Sequence, residues 1–151
     1  MKNKALFTSD KQDWETPQEL FDQLNSKYHF DLDAAASHGN AKLPKYVTAE
    51  DDALSQEWGE YSSIFCNPPY ETKSQNAFIK KAYDTHQEFG NTIVLLIPAR
   101  TGTMRWHKYI FGKAEINFLE GRLHFETNGV RHKINAPFDS AVVVYGGSDH
   151  A

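Results

Sequence analysis

Residues 62–71 read SSIFCNPPYE, and the way this stretch ends sets the fold. The run Ser63 to Cys66 is short and apolar, the pattern of a buried strand, and it stops at Asn67. Pro68 and Pro69 cannot continue a sheet ladder, because each has its φ fixed by the ring and carries no backbone N–H. A helical pattern follows in 75–90, QNAFIKKAYDTHQEFG, with Phe78, Ile79, Ala82, Tyr83 and Phe89 near one stripe and Gly90 as the stop. Then 91–98, NTIVLLIP, is the continuous apolar run of a parallel strand covered on both faces. Upstream, 16–28 predicts a helix with Thr16 as N-cap, Pro17 at its first position and Glu19 closing a capping box. The segment 29–36, HFDLDAAA, predicts a strand ending near Asp33, and Tyr46 to Thr48 a short one.

Downstream, 101–112 reads as a helix closed by Gly112, and 114–121, 122–134 and 138–147 as strands, with Asn128-Gly129 as a hairpin turn. Strands alternating with helices and finishing antiparallel predict an α/β sheet, mostly parallel with a reversed C-terminal edge strand. Ligands in such sheets sit beyond the carboxyl ends of the strands, where Asn67 stands. The chain reads as a polar, mobile leader over 1–12 and a single domain over 13–151.

NPPY suits a specific chemical task. An exocyclic amine conjugated with a ring or a carbonyl is a poor nucleophile because its lone pair is delocalised. The amide oxygen of Asn67 and the carbonyl of Pro68 can each accept one N–H of such an amine. Together they favour a tetrahedral nitrogen as positive charge develops on it. Pro68 and Pro69 keep those carbonyls fixed, and Tyr70 offers a face on which a flat base can stack.

The rest of the composition narrows the field. A single cysteine, Cys66, excludes an intrachain disulfide and suits a reducing cytoplasm. No apolar run is long enough for a membrane span, and 1–15 carries no secretory signal. The seven histidines form no ligand-spaced pair, so no metal site is expected. Net charge is -4, but unevenly spread: residues 1–70 hold 6 Lys/Arg against 12 Asp/Glu, whereas 100–133 hold 7 against 3. A basic flank of that kind suits phosphates.

The segments WETPQELF, FDLDAAA, EDDALSQEW, FCNPPY, LLIPARTGTMRWH, EGRLHF and INAPFDSAVVVYG, in that order, resemble the small phage-type (Dam-like) DNA N6-adenine methyltransferases. These belong to the amino-methylating class that uses S-adenosylmethionine. The resemblance implies a compact Rossmann-like methyltransferase sheet, with Asn67, Pro68, Pro69 and Tyr70 catalytic. It implies that Thr16 and Pro17 pack over the methionine part of S-adenosylmethionine, that Asp33, Ala34 and Ala35 line its amino-acid part, and that Asn67 also contacts the cofactor. Asp52 is implied at the adenine amine. The chain departs from the wider pattern in lacking a glycine-rich loop after the first strand, where Gly39 is alone. Only 18 residues separate Asp33 from Asp52, which leaves Glu50 and Asp51 as candidates for the ribose.

Double-stranded DNA is the implied partner, in the host-cell cytoplasm if the chain is phage-encoded, and the target base must be flipped out of the duplex to reach NPPY. Arg100, Thr101, Thr103, Arg105 and Trp106 follow the LLIP run on the active side. Arg131 and Lys133, in ETNGVRHKINAP, are long donors able to address guanine in the major groove. There is no room for a large target-recognition domain, so a short site is expected unless the hairpin or a dimer extends it. Protein-glutamine N5 methylation, DNA N4-cytosine methylation and a non-catalytic DNA- or cofactor-binding module are the alternatives.

Overall fold

The computed structural model describes residues 14–36, 40–48 and 53–147. The leader over 1–12 and the candidates Glu50, Asp51 and Asp52 lie outside the described residues. Within them the chain forms α1 (Gln18–Tyr28), β1 (Leu32–Ala36), β2 (Tyr46–Thr48), a short 3-10 turn (Ala53–Ser55), β3 (Ser63–Cys66), α2 (Thr72–Phe89) and β4 (Thr92–Pro98). A wide helical turn (Trp106–Ile110) follows, then β5 (Glu115–Phe118), the two-residue strands β6 (Glu126–Thr127) and β7 (Val130–Arg131), and β8 (Ser140–Tyr145).

Six strands make one sheet in the order β2-β1-β3-β4-β8-β5, and β6 and β7 pair separately. Strands β2, β1, β3 and β4 are mutually parallel, and β8 runs antiparallel to both β4 and β5. The C-terminal strand is therefore the reversed one, as the antiparallel finish of the sequence pattern predicted. It does not form the outermost edge, because β5 pairs outside it. All of β8 is buried whereas β5 is mostly exposed, so the apolar SAVVVY run takes the covered place and EINF the rim.

The period of two along these strands divides the core into two layers. Ile93, Leu95 and Ile97 of β4, with Ile64 and Cys66 of β3, pack against Phe78, Ile79 and Ala82 of α2 and against Trp106 and Ile110. Val94 and Leu96, with Phe65, face the other way, onto Phe21 and Tyr28 of α1 and onto Phe30 and Phe125. Each fully buried Val, Leu or Ile stabilises the fold by about 1.5–3 kcal/mol relative to exposure. The continuous LLIP run is thus needed on both faces at once.

Three local expectations are revised. α1 begins at Gln18, with Pro17 before it and no side-chain cap, so Thr16 is not the N-cap and Glu19 closes no capping box. The hydroxyl of Thr16 is engaged elsewhere, and Gln18 donates its N–H to Glu126 Oε2 at 3.1 Å, which satisfies one helix-end donor from a distant segment. β1 runs on to Ala36, placing Asp33 inside the strand instead of at its end. The helix expected over 101–112 is a wide turn in which Phe111 N–H reaches back five residues to Trp106 C=O at 2.9 Å. The hairpin turn is as read: Asn128 and Gly129 have φ of 52° and 80°, the pair of positive angles that a type I′ turn requires.

Candidate active site

Strands β3 and β4 pair in parallel with Cys66 opposite Leu95, so Asn67 emerges at the carboxyl edge of the sheet, close to the loop that leaves β4 at Pro98. The Asn67 side chain is held from the N-terminal side of the chain. Its Nδ2 donates to the Trp14 carbonyl at 2.7 Å and to Thr16 Oγ1 at 3.0 Å. A carbonyl can only accept, so this contact fixes which end of the amide is nitrogen. Both amide protons are thereby used. Oδ1 is left buried and without a hydrogen-bond partner in the protein. A buried acceptor without a partner costs roughly 1–3 kcal/mol; Gln75 Oε1 and Asn91 Oδ1 share that state, and Asn67 Oδ1 is set apart by its place at the carboxyl edge of the sheet.

The proline turn behind Asn67 is pinned by α2. Gln75, fully buried, donates from Nε2 to the Pro69 carbonyl at 2.9 Å. Of the two proline carbonyls, that of Pro69 is thus engaged within the protein. Tyr70 belongs to a cluster of four rings in which every pair touches. Its centroid lies 6.4 Å from Trp14 with the planes 16° apart, 5.9 Å from Phe125 and 5.4 Å from Phe138. Trp14 also meets Phe125 and Phe138 edge-on. The phenol donates only a long bond, 3.4 Å, to the Leu96 carbonyl, and burial pushes its pKa well above the usual tyrosine value, so it stays neutral.

Asp33 is buried, and its Oδ2 accepts the Lys42 N–H at 3.0 Å. Burial raises its pKa more than the N–H groups of Lys42 and Ala35 and the charge of Lys42 lower it. The side chains beyond it, Ala34 to Ala36, are methyl groups only. Cys66, next to Asn67, is fully buried, and desolvation followed by the charge of Asp33 lifts its thiol well above the usual range. It is therefore no ready nucleophile.

The cations expected near DNA fall into distinct places. Arg100 is exposed, with its guanidinium 5.9 Å from the centre of the Phe138 ring. Arg100, Thr101 and Thr103 line a shallow, open surface cleft of about 340 Å³ with Phe138 and Asp139. Arg131 and Lys133 are exposed on the β6–β7 hairpin and after it. Arg105 sits apart from them, 6% exposed, with Nη1 donating to Asn76 Oδ1 of α2 at 3.1 Å. Burial, then the charge of Arg100, lower its pKa. Among the described residues no three metal-binding side chains come together, and no helix is long and apolar enough to cross a membrane.

Several residues that the sequence reading passed over complete the site: Trp14, Glu15, Gln75, Glu126 and Phe138. Trp14 directly precedes the Thr16-Pro17 pair and could have been found from that neighbourhood. Glu126 carries no local signal, because its role depends on a partner 108 residues away.

Fold and site together define an α/β protein whose candidate ligand edge, at the carboxyl ends of its parallel strands, holds a buried amide oxygen without a protein partner beside a cluster of aromatic rings. More particularly, residues 3–147 match the family described as DNA N-6-adenine-methyltransferase (Dam), and the chain belongs to that family. It is 34% identical over 117 residues to the DNA N-6-adenine-methyltransferase of Escherichia phage T1, a match that covers 77% of this chain and 48% of that protein. It is 31% identical over 101 residues to the protein of the same name from Haemophilus phage HP1, covering 65% of this chain and 56% of that one. A third similarity, 40% over 63 residues, is to the putative methyltransferase YfdM of Escherichia coli K12, covering 38% of this chain and 69% of YfdM. The chain spans about half the length of the two phage relatives.

Proposed function

We propose that this chain transfers a methyl group from S-adenosylmethionine to the N6 amine of an adenine flipped out of double-stranded DNA, on a compact Rossmann-like methyltransferase sheet. The observation that carries this reading is the Asn67 side chain: both amide protons are held by the protein, while its oxygen is buried and has no protein partner. Family membership and the names of the two phage relatives support adenine in DNA as the substrate.

The residues present fit the cofactor. The buried Asp33 carboxylate beside methyl-only side chains at Ala34 and Ala35 suits the amino-acid moiety, and Thr16 and Pro17 flank the same edge as Asn67. When bound, S-adenosylmethionine supplies an activated methyl group on a positively charged sulfur. The protein's own work is on the amine. Asn67 Oδ1 and the Pro68 carbonyl accept its two N–H bonds, hold the nitrogen lone pair towards the methyl donor and share the positive charge that develops. Tyr70 presents its ring to the base, and the surrounding aromatic cluster excludes water. The nitrogen loses its extra proton to solvent after transfer, so no strong base is required. Arg100, Thr101, Arg131 and Lys133 contact the DNA, and Arg105 steadies the loop after β4 against α2.

Incubation with labelled S-adenosylmethionine and duplex DNA, followed by hydrolysis, tests this. Labelled N6-methyladenine is the expected product. Label in N4-methylcytosine or in protein glutamine would replace the substrate assignment, and cofactor binding with no transfer would replace the enzyme by a binding module.

A further inference from the structure

Residues 14–16 touch two places at once. On one side, Trp14 O and Thr16 Oγ1 take both protons of the Asn67 amide. On the other, Glu15 joins the β6–β7 hairpin through a single antiparallel bridge: its N–H donates to the Glu126 carbonyl at 3.1 Å and its carbonyl accepts from Glu126 N–H at 3.0 Å. The Glu15 carboxylate, on a residue only 8% exposed, then accepts from the two turn residues, Asn128 N–H at 3.1 Å and Gly129 N–H at 3.5 Å. Glu126 reinforces the joint, since Oε2 accepts the Gln18 N–H and Oε1 lies 3.8 Å from Lys42 Nζ. Lys42 in turn donates its backbone N–H to Asp33.

We propose that Glu15 is a positioning residue that couples the β6–β7 hairpin to the Asn67 amide, so that DNA held on the hairpin sets the aim of the amine-accepting oxygen. The inference rests on the reading of Asn67 and of the hairpin given above. The physical reason is the shortness of the path. Moving the turn pulls on Glu15 through its carboxylate, and Glu15 lies between the two residues that fix the amide. A hairpin of two-residue strands is weak alone, so its place depends on such a tether. A misplacement of the order of 1 Å at a reacting centre can cost about 10²-fold in rate, so the tether has enough leverage to matter.

The test is a double-mutant cycle on the single-turnover rate of DNA methylation, with wild type, Glu15→Ala, Asn67→Ala and the double variant. Glu15→Ala should lower the rate about tenfold or more, with a smaller change in the DNA KM. In the Asn67→Ala background the same substitution should change it by less than about twofold. Effects that simply multiply would overturn the proposal. Glu15→Gln keeps the side-chain length and one acceptor oxygen, so it should recover part of the rate; it carries the cycle if circular dichroism shows Glu15→Ala unfolded.

A second measurement is independent of activity. The side-chain amide protons of Asn67, identified by NMR from their absence in Asn67→Ala, should exchange faster with solvent in the Glu15 variants. Unchanged exchange would overturn the coupling. If wild type modified no DNA, the functional reading would fall while the exchange measurement still decided whether Glu15 steers Asn67.

Discussion

Asn67 uses both of its donors inside the protein and leaves its buried oxygen without a protein partner, the acceptor that the proposed function assigns to the substrate amine. Asn67→Ala removes the acceptor and leaves the strand intact, so the rate of chemistry should fall by about 10²-fold or more without loss of fold. Single-turnover methylation together with thermal unfolding measures both, and a near-normal rate would rule out the amine-accepting role. Tyr70 separates stacking from hydrogen bonding. Its hydroxyl makes only a 3.4 Å bond, so Tyr70→Phe should leave turnover and DNA affinity within a few fold. Tyr70→Ala removes the ring and should weaken capture of the flipped base, where base–aromatic stacking is worth about 1–3 kcal/mol. Equal damage from both substitutions, read as kcat and KM side by side, would mean that stacking is the wrong role.

At the scale of elements, β1 carries a measurable electrostatic cost. Burial holds Asp33 above the ordinary carboxylate pKa, and the hydrogen bonds of Lys42 and Ala35 recover only part of the difference. The folded state therefore holds this proton more tightly than the unfolded chain. The resulting stability is full below the unfolded pKa and is lost as pH rises through the folded one. Asp33→Asn should then raise the unfolding temperature of the cofactor-free protein at neutral pH, with the gap closing towards about pH 4. Thermal melts across that range decide it, and a gap that widened on acidification would contradict the sign. The same variant should bind S-adenosylmethionine more weakly if the charge meets the cofactor's amino group. Perturbed carboxyls of this kind gather at functional sites, which is why a buried acid at the ligand edge of a sheet merits the test.

At the scale of the whole molecule, the exposed cations proposed to meet DNA lie on two structures, Arg100 on the loop after β4 and Arg131 and Lys133 on and just after the hairpin. Each phosphate contact removed should lessen the dependence of log affinity on log salt by about 0.9. Arg131→Ala and Lys133→Ala should differ if one reads a base and the other a phosphate: the base reader alters sequence preference, the phosphate contact alters mainly the salt slope. Fluorescence titrations with duplexes at several salt concentrations separate the two, and unchanged slopes and preferences in both variants would remove the hairpin from the DNA interface.

The sheet was largely legible because the IVLLI and AVVV runs have no soluble alternative to a doubly covered strand, and the NPPY turn could be placed at its edge for the same reason. What local pattern could not supply was partnership. Thr16 has the right spacing for an N-cap, yet its hydroxyl goes to a residue 51 positions away. The placing of β5 outside β8 depends on which strand needs cover on both faces. The Glu15–Glu126 pairing exists only once both ends of the chain are folded together.

That pairing also sets an order of assembly. Contacts spanning 108 to 114 residues are made late, because the loop they close must be paid for before they are gained. During synthesis β1 to β4 can pair while the hairpin is still unmade, and under the coupling proposed above the Asn67 amide gains its tether only when residues 126–129 arrive. Because β8 follows the hairpin in the chain and pairs with both β4 and β5, the sheet and the tether on Asn67 are completed by the same C-terminal stretch, and a chain interrupted before residue 126 would have neither.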